Sequence, residues 1–229
     1  MNNREGSPLL LIATNNKGKV KELQDLLKDP GIELVTPAQI DLDLDVLEDG
    51  QTYAENAAKK AVAFARASRL ISLADDSGLE VDALDGAPGL HSARYGAPHG
   101  GKLSDAERRA FLIRNLQDKP RPWTARFHAT IAVAIPELFW SRAACRLPSQ
   151  EHALSGSPAL QIFEGFCPGQ IIPEERGTGG FGYDPIFLLP ELGKTMAELS
   201  MDEKNRLSHR ARAVMNAKGI LSRIFSKDD

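Results

Sequence analysis

The chain begins with a pattern of apolar and polar residues that predicts a strand, a polar loop and a helix. Residues 9–13 form a short apolar run, and the polar sequence TNNKGK follows at residues 14–19. Apolar residues then recur at the spacing of a buried helical stripe. These residues are Val20, Leu23, Leu26 and Leu27.

A second helix and a second strand follow the same logic. Thr52 opens the sequence TYAE, a capping box that predicts a helix through the alanine-rich stretch to Leu70. Residues 71–75 are mostly apolar and predict a strand that ends at the adjacent acids Asp75 and Asp76. A long glycine-rich loop is predicted at residues 85–101 because its glycines and prolines disfavour regular structure.

The second half of the chain predicts further strands between helices. Residues 104–116 have a helical pattern, and residues 127–135 and 159–166 have a strand pattern. A capping box at residues 200–203 predicts one final helix. Its apolar face comprises Leu207, Ala211, Val214 and Leu221. Helices and strands in this order predict an α/β fold with a mixed sheet.

Length and composition favour a single globular domain over residues 1–229, with residues 1–8 as a disordered extension. The 229 residues are 42% hydrophobic, enough to bury a core. The net charge of -3 argues against binding to nucleic acid or membrane through overall charge, so an anionic ligand must be met by a few placed cations. Two cysteines without CxxC spacing, and no apolar stretch of membrane-spanning length, favour a soluble cytoplasmic protein.

The segment at residues 14–19 has two interpretations. A strand followed by a helix N-terminus offers backbone amides and a positive dipole, to which two lysines add charge, so the turn suits a phosphate chain. It lacks the spacing of a P-loop, and an ordinary polar turn with solvated lysines explains the pattern equally well.

Residues 177–185, GTGGFGYDP, match GxGxxG formally but not in context. A dinucleotide fingerprint opens a helix, whereas Pro185 and extended-type residues follow here. The segment predicts a flexible loop that presents Phe181, Tyr183 and Asp184, with its aromatic rings suited to stacking on a nucleotide base. The alternative is a glycine-rich connection with core aromatics.

Acidic residues offer a candidate metal site. Glu48 precedes the second predicted helix, and Asp75 and Asp76 follow the next strand, with Lys60 between them in sequence. Carboxylates are the ligands that Mg²⁺ takes from proteins, one or two at a time, together with substrate phosphates. Taken singly, each acid is more often a solvated surface group. Lys59 is expected to pair with Glu55 on the helix surface.

The predicted final helix begins with a basic group of Lys204, His209 and Arg210, which by itself is most often a solvated face. The five histidines show no HExxH or comparable spacing, so a zinc site is not expected.

Five separated segments, taken in order, resemble the inosine triphosphate pyrophosphatase family, also called the Ham1-like non-canonical purine NTP pyrophosphatases. They are IATNNKGKVKEL, TYAENAAKKA, LADDSGLEVDALDGAPGLHSARYG, GTGGFGYDPIF and EKNRLSHRARA. The resemblance implies an elongated two-lobed α/β fold with an active site in the cleft between lobes. It also implies a homodimer and Mg²⁺-dependent hydrolysis of ITP, dITP and XTP to the monophosphate and pyrophosphate. The segment at residues 136–159 is longer than the hairpin usual in the family, so we predict an insertion there.

The resemblance also assigns roles residue by residue. Glu48 and Asp76 match metal-binding acids, Asp76 is also the general base, and Lys60 matches a catalytic lysine near the reacting phosphates. The triphosphate is assigned to Thr14, Asn15, Asn16, Lys17, Gly18 and Lys19. Further substrate contacts are assigned to Ser77, Phe181, Gly182, Tyr183, Asp184, Lys204, His209 and Arg210.

The adjacent acids are expected to divide the work. Side chains alternate across a strand, so Asp75 shares a face with Ile71 and Leu73 and is predicted to turn inward and hold loop amides or a lysine. Asp76 then faces the site.

A catalytically silent nucleotide sensor on the same fold is the main alternative to an enzyme. A P-loop or Rossmann enzyme is disfavoured by the missing motif.

Overall fold

The computed structural model describes residues 9–28, 32–98, 101, 103–139 and 158–225 of the chain. The predicted N-terminal extension at residues 1–8 and residues 140–157 of the predicted insertion lie outside the described residues.

The strands form one mixed sheet of seven, which confirms the predicted α/β class. In chain order they are β1 (Leu9–Ile12), β2 (Glu33–Val35), β3 (Ile71–Val81), β4 (Trp123–Ile135), β5 (Ala159–Ile171), β6 (Phe187–Leu189) and β7 (Lys194–Thr195). The order across the sheet is β2-β1-β3-β4-β5-β6-β7. Strand β1 pairs in parallel with β2 and β3, whereas β6 pairs antiparallel with β5 and β7.

Five α-helices lie within the described residues, and local capping explains where each of them begins. They are α1 (Lys17–Leu26), α2 (Tyr53–Ser68), α3 (Asp105–Leu116), α4 (Met201–Leu207) and α5 (His209–Phe225). A side-chain oxygen accepts a hydrogen bond from a first-turn amide at the start of α1, α2, α3 and α4. The capping residues are Asn16, Thr52, Ser104 and Ser200.

Several predicted boundaries are wrong, including the start of β4 and the end of β5, and two others concern candidate site residues. Strand β3 does not end at Asp75 but continues to Val81, so the two acids lie in its middle. The final helix is broken at Ser208, whose ψ of 155° is extended and whose hydroxyl accepts a bond from the amide of Ala211. Ser208 therefore ends α4 and caps α5, which places His209 and Arg210 in the first turn of a new helix.

The chain divides into two compact units, each with its own core. The first unit comprises the described residues of Met1–Asp76, Thr130–Glu164 and Ala213–Asp229, and the second comprises Ser77–Ala129 and Gly165–Arg212. Ala57, Ala61 and Phe64 of α2 pack in the first core. The second core buries Leu112 and Leu116 of α3 together with residues of the sheet. Strand β3 passes from the first unit to the second between Asp76 and Ser77.

No helix within the described residues is long and apolar enough to cross a membrane.

Candidate active site

In the first unit, the ammonium of Lys60 lies close to three oxygen atoms. Its nitrogen lies 2.9 Å from the main-chain carbonyl oxygen of Asp75, 3.1 Å from Oε2 of Glu48 and 3.5 Å from Oδ1 of Asp76. An ammonium has three N–H donors, so each can be directed at one of these oxygens. The Lys60 side chain is only 9% exposed. The structure therefore brings together the three residues that the sequence assigned to metal binding and catalysis.

A second lysine lies beside the same strand. Lys19 Nζ lies 2.9 Å from Oδ2 of Asp75 and donates to the Asp75 carbonyl oxygen at 3.3 Å. Asp75 has no solvent exposure. The prediction that Asp75 turns inward and holds a lysine is confirmed. Because its main chain also accepts from Lys60, Asp75 fixes both ammoniums.

Asp76 differs from its neighbour in exposure and in environment. It is 8% exposed, and burial raises the pKa of its carboxyl above the ordinary value. The ammoniums of Lys60 and Lys19 act in the opposite direction, while the carboxylates of Glu48 and Asp75 add to the increase. A raised pKa strengthens a carboxylate as a proton acceptor.

The acidic residues of this cluster suit a magnesium ion that completes its coordination with phosphate oxygens and water. Three carboxylates (Glu48, Asp75, Asp76) face two ammoniums (Lys19, Lys60), so one negative charge is left over. Within the described residues, no group of three or more His, Cys, Asp or Glu side chains is placed to hold a metal. One or two carboxylates completed by phosphate oxygens and water are the usual Mg²⁺ arrangement, and Glu48 and Asp76 can supply them.

The predicted phosphate loop leads from β1 into α1. The amide of Asn16 donates to the Thr14 hydroxyl at 3.2 Å, and the Asn16 side chain caps α1 by accepting from the Lys19 amide at 3.1 Å. Asn15, Asn16 and Lys17 are exposed, while Gly18 and Lys19 are half-buried. The first turn of a helix has amides without intrahelical partners, which suits an anion. Of the two candidate lysines, the structure brings Lys19 into the acidic cluster.

In the second unit, Arg210 contacts the residue that follows Asp76. Its side chain is almost fully buried, 2% exposed, and Nη2 donates to the Ser77 hydroxyl at 2.9 Å. Ser77 directly follows Asp76, and consecutive Cα atoms lie about 3.8 Å apart. Covalent geometry therefore keeps this arginine's partner beside Asp76.

Phe181 is half-buried, and two cations lie near its ring. Lys204 Nζ lies 5.5 Å from the ring centroid and Arg210 Cζ lies 5.8 Å from it. Both distances fall within the range of cation–π attraction.

Two residues of the glycine-rich segment 177–185, which we call the base loop, are more buried than expected. The expectation that the loop presents Tyr183 and Asp184 is wrong, since both are 4% exposed. The Tyr183 hydroxyl donates to the Ser92 carbonyl at 2.9 Å, and burial raises the Tyr183 pKa. Asp184 pairs with Lys204 at 2.8 Å and accepts from the Phe181 amide at 2.9 Å. Gly182 has a positive φ of 62°.

His209 is buried rather than placed on a solvated basic face. It is 5% exposed, and its ring stacks on Phe127 with the centroids 4.7 Å apart.

The expected surface pair of Lys59 and Glu55 is also wrong. Lys59 instead pairs with Asp49 at 2.6 Å, and Glu55 accepts from the Gln51 amide.

Sequence reasoning missed the residues that hold the base loop from outside it. Asp105 and Arg109 of α3 bind the main chain of Gly182, and Ser92 binds Tyr183. These partners lie at least 73 residues apart in sequence. Asp105 and Arg109 belong to no recognised motif, and Ser92 lies in a matched segment that gave no sign of its contact with Tyr183.

Residues 10–220 match the model of the Ham1 family. The chain belongs to the Ham1 family. A dITP/XTP pyrophosphatase of Desulforamulus reducens is 44% identical over 94% of this chain and 96% of that protein. Another, from Geobacillus kaustophilus, is 46% identical over 90% of each chain.

A solved structure gives the same assignment. The HAM1 protein of Coxiella burnetii is 34% identical, with a TM-score of 0.75 over 94% of this chain and 98% of that one. The Ham1-family match spans β1 through most of α5, so it includes both the Lys60 cluster and the Phe181 loop.

Proposed function

We propose that this Ham1-family protein hydrolyses non-canonical purine nucleoside triphosphates, namely ITP, dITP and XTP, to the monophosphate and pyrophosphate, and so cleanses the nucleotide pool. The observation that carries the proposal is the Lys60 ammonium, which bridges the carboxylates of Glu48 and Asp76. It places two acids that can bind a metal ion beside a cation that can bind a phosphate. The names of the curated relatives support the same reaction. From the family resemblance, we also propose that the enzyme is a cytoplasmic homodimer and that it requires Mg²⁺.

Asp76 is the proposed general base. Its carboxylate accepts a proton from the water that attacks the α-phosphorus, a role for which its raised pKa is favourable. When bound by Glu48 and Asp76, Mg²⁺ supplies positive charge to the phosphate oxygens.

Lys19 and Lys60 offset the negative charge of the substrate. A nucleoside triphosphate brings roughly four negative charges, which the ammoniums and the first-turn amides of α1 meet together. Asp75 keeps both lysines in place through its carboxylate and its carbonyl. As pyrophosphate leaves, these cations stabilise the charge that moves onto it.

Base choice is assigned to Phe181 and Arg210. Phe181 stacks on the purine, and Arg210 donates to the oxygen at position 6. Adenine carries an amino group there and would meet a donor with a donor, so ATP is rejected. Guanine has the 6-oxygen, which makes GTP the best of the standard nucleotides.

Pyrophosphate release from ITP, dITP, XTP, GTP and ATP, with Mg²⁺ and with a chelator, tests the function. The proposal expects Mg²⁺-dependent release that is fastest with the first three nucleotides. ATP hydrolysed as fast as ITP would contradict it. Tight nucleotide binding without release would instead support a silent sensor on the same fold.

A further inference from the structure

Both polar groups of the Gly182 main chain are held by side chains of α3. The Gly182 amide donates to Oδ2 of Asp105 at 2.6 Å, and Arg109 Nη1 donates to the Gly182 carbonyl oxygen at 2.8 Å. Gly182 has a φ of 62°, a conformation that glycine adopts with little cost. The two peptide planes that flank Gly182 could otherwise rotate, and each is held by one side chain.

The same guanidinium also holds the other end of the loop. Arg109 donates from Nε and Nη2 to the two carboxylate oxygens of Glu175, both at 2.8 Å. This bidentate pairing lowers the Glu175 pKa. The Arg109 side chain is 12% exposed. One residue thus joins positions 175 and 182, and we call Asp105, Arg109 and Glu175 the loop clasp.

The loop between these positions is rich in glycine and ends with Phe181 and Gly182. It contains Gly177, Gly179 and Gly180. Such a sequence has high conformational freedom when it is not held. The amide of Phe181 donates to Asp184, so the backbone is fixed on both sides of the Phe181 ring.

We propose that Asp105 and Arg109 are positioning residues that set the orientation of Phe181, and through it the affinity for purine nucleotides and the choice among them. The inference rests on the proposed function. Neither residue needs to touch the substrate, since each acts through Gly182. A ring that is held in its binding orientation before the nucleotide arrives loses less freedom on binding, which lowers KM.

The fold of α3 does not depend on the clasp. Leu112 and Leu116 are fully buried, and they anchor the helix in the second core. Its start is fixed separately by the capping box of Ser104 and Glu107. A change at Arg109 can therefore alter the loop while the helix remains.

Arg109→Lys tests the proposal because it keeps the charge and removes the planar fork that binds two partners at once. Asp105→Ala removes the other half of the clasp. The matched control is Arg114→Lys on the same helix, where the guanidinium lies 5.5 Å from the Phe111 ring and does not belong to the clasp. KM and kcat are measured for dITP and GTP, together with hydrogen exchange of the Gly182 amide.

Both clasp variants are expected to raise KM for dITP roughly tenfold with kcat changed less than about threefold. The preference for dITP over GTP should fall, and the Gly182 amide should exchange faster. The control should leave all of these values as in the wild type. Unchanged KM and unchanged preference in both variants would overturn the inference. A lower kcat and a lower melting temperature without a change in KM would also overturn it.

Failure of the proposed function gives a different result. If the wild type releases no pyrophosphate, the reaction is wrong, and the clasp is judged by calorimetric dITP binding. Weaker binding by Arg109→Lys then supports the clasp, whereas an equal Kd overturns it.

Discussion

The ammonium of Lys19 lies 2.9 Å from the carboxylate of Asp75, a residue with no solvent exposure. The two residues are 56 positions apart, so the contact ties the first turn of α1 to the middle of β3. This pair separates the roles of the two adjacent acids. The Asp75 carboxylate is neutralised by Lys19 and is poorly placed to accept a proton from water, which leaves that role to Asp76 in the proposed reaction.

Asp75→Asn should reduce stability more than activity. The substitution keeps the shape of the side chain but leaves the half-buried Lys19 without its carboxylate, at a cost of about 1–3 kcal/mol in the free energy of unfolding. Urea denaturation measures the loss, and kcat should fall much less than in Asp76→Asn. The reverse order of the two kcat values would mean that the roles of the acids are exchanged.

Asp76→Asn should abolish turnover without destabilising the protein. Loss of a general base is expected to lower kcat by about 10²–10⁴. Burial raises the Asp76 pKa above 3.8, so the folded state holds a proton over a pH range in which the unfolded chain has released it. The stability associated with this proton is lost as pH rises from that ordinary value through the raised pKa. At neutral pH and without Mg²⁺, the uncharged variant should melt at or above the wild-type temperature.

A melting temperature several degrees below the wild type would contradict that reading of Asp76. Asp49→Asn is the control, since Lys59 lowers the Asp49 pKa in an exposed pair. It should retain full turnover.

Lys60→Met should lower both activity and stability, while Lys59→Met should change neither. Lys60 is buried and bridges Glu48 and Asp76, so its removal leaves two carboxylates close together without their cation. We expect a loss of about 3 kcal/mol or more in unfolding free energy. Lys59 is the neighbouring residue with a 45% exposed side chain, and its loss should cost less than about 1 kcal/mol. Denaturation and pyrophosphate assays on both variants decide, and equal effects would contradict the bridging role.

Local chemistry explains what could be predicted. The beginnings of α2 and α4 followed from Thr52 and Ser200 because a capping side chain acts within three residues of itself. The inward turn of Asp75 followed from strand alternation.

The misplaced boundaries have physical reasons. Leu207 and Ala211 fit one helical stripe, so periodicity could not detect the break at Ser208, which depends on a capping hydroxyl. Strand β3 passed beyond Asp76 because sheet pairing overrides the polarity of two acids. The Asp184–Lys204 pair and the loop clasp depend on tertiary contacts that no local pattern encodes.

Two glycines of the base loop should differ sharply when replaced by alanine. A Cβ at Gly180 would lie 1.9 Å from Oδ2 of Asp184, and its φ is 71°. Gly180→Ala should therefore displace Asp184 from Lys204 and lower both stability and nucleotide affinity. At Gly182 the φ is 62° with no atom within 4 Å, so Gly182→Ala adds only backbone strain of about 1 kcal/mol. Thermal melting and KM for dITP check the pair, and equal losses would contradict the steric argument.

Phe181→Leu should weaken nucleotide binding while leaving the chemical step almost intact. Stacking of a base on an aromatic ring is worth about 1–3 kcal/mol, so KM for dITP should rise roughly 5- to 150-fold. The proposed function assigns the phosphates to Lys19, Lys60 and Asp76, so kcat should change less than about threefold. Phe166→Leu is the control, because Phe166 is 37% exposed and its ring packs against His128. A fall in kcat at unchanged KM would show that Phe181 acts on the reacting phosphates rather than on the base.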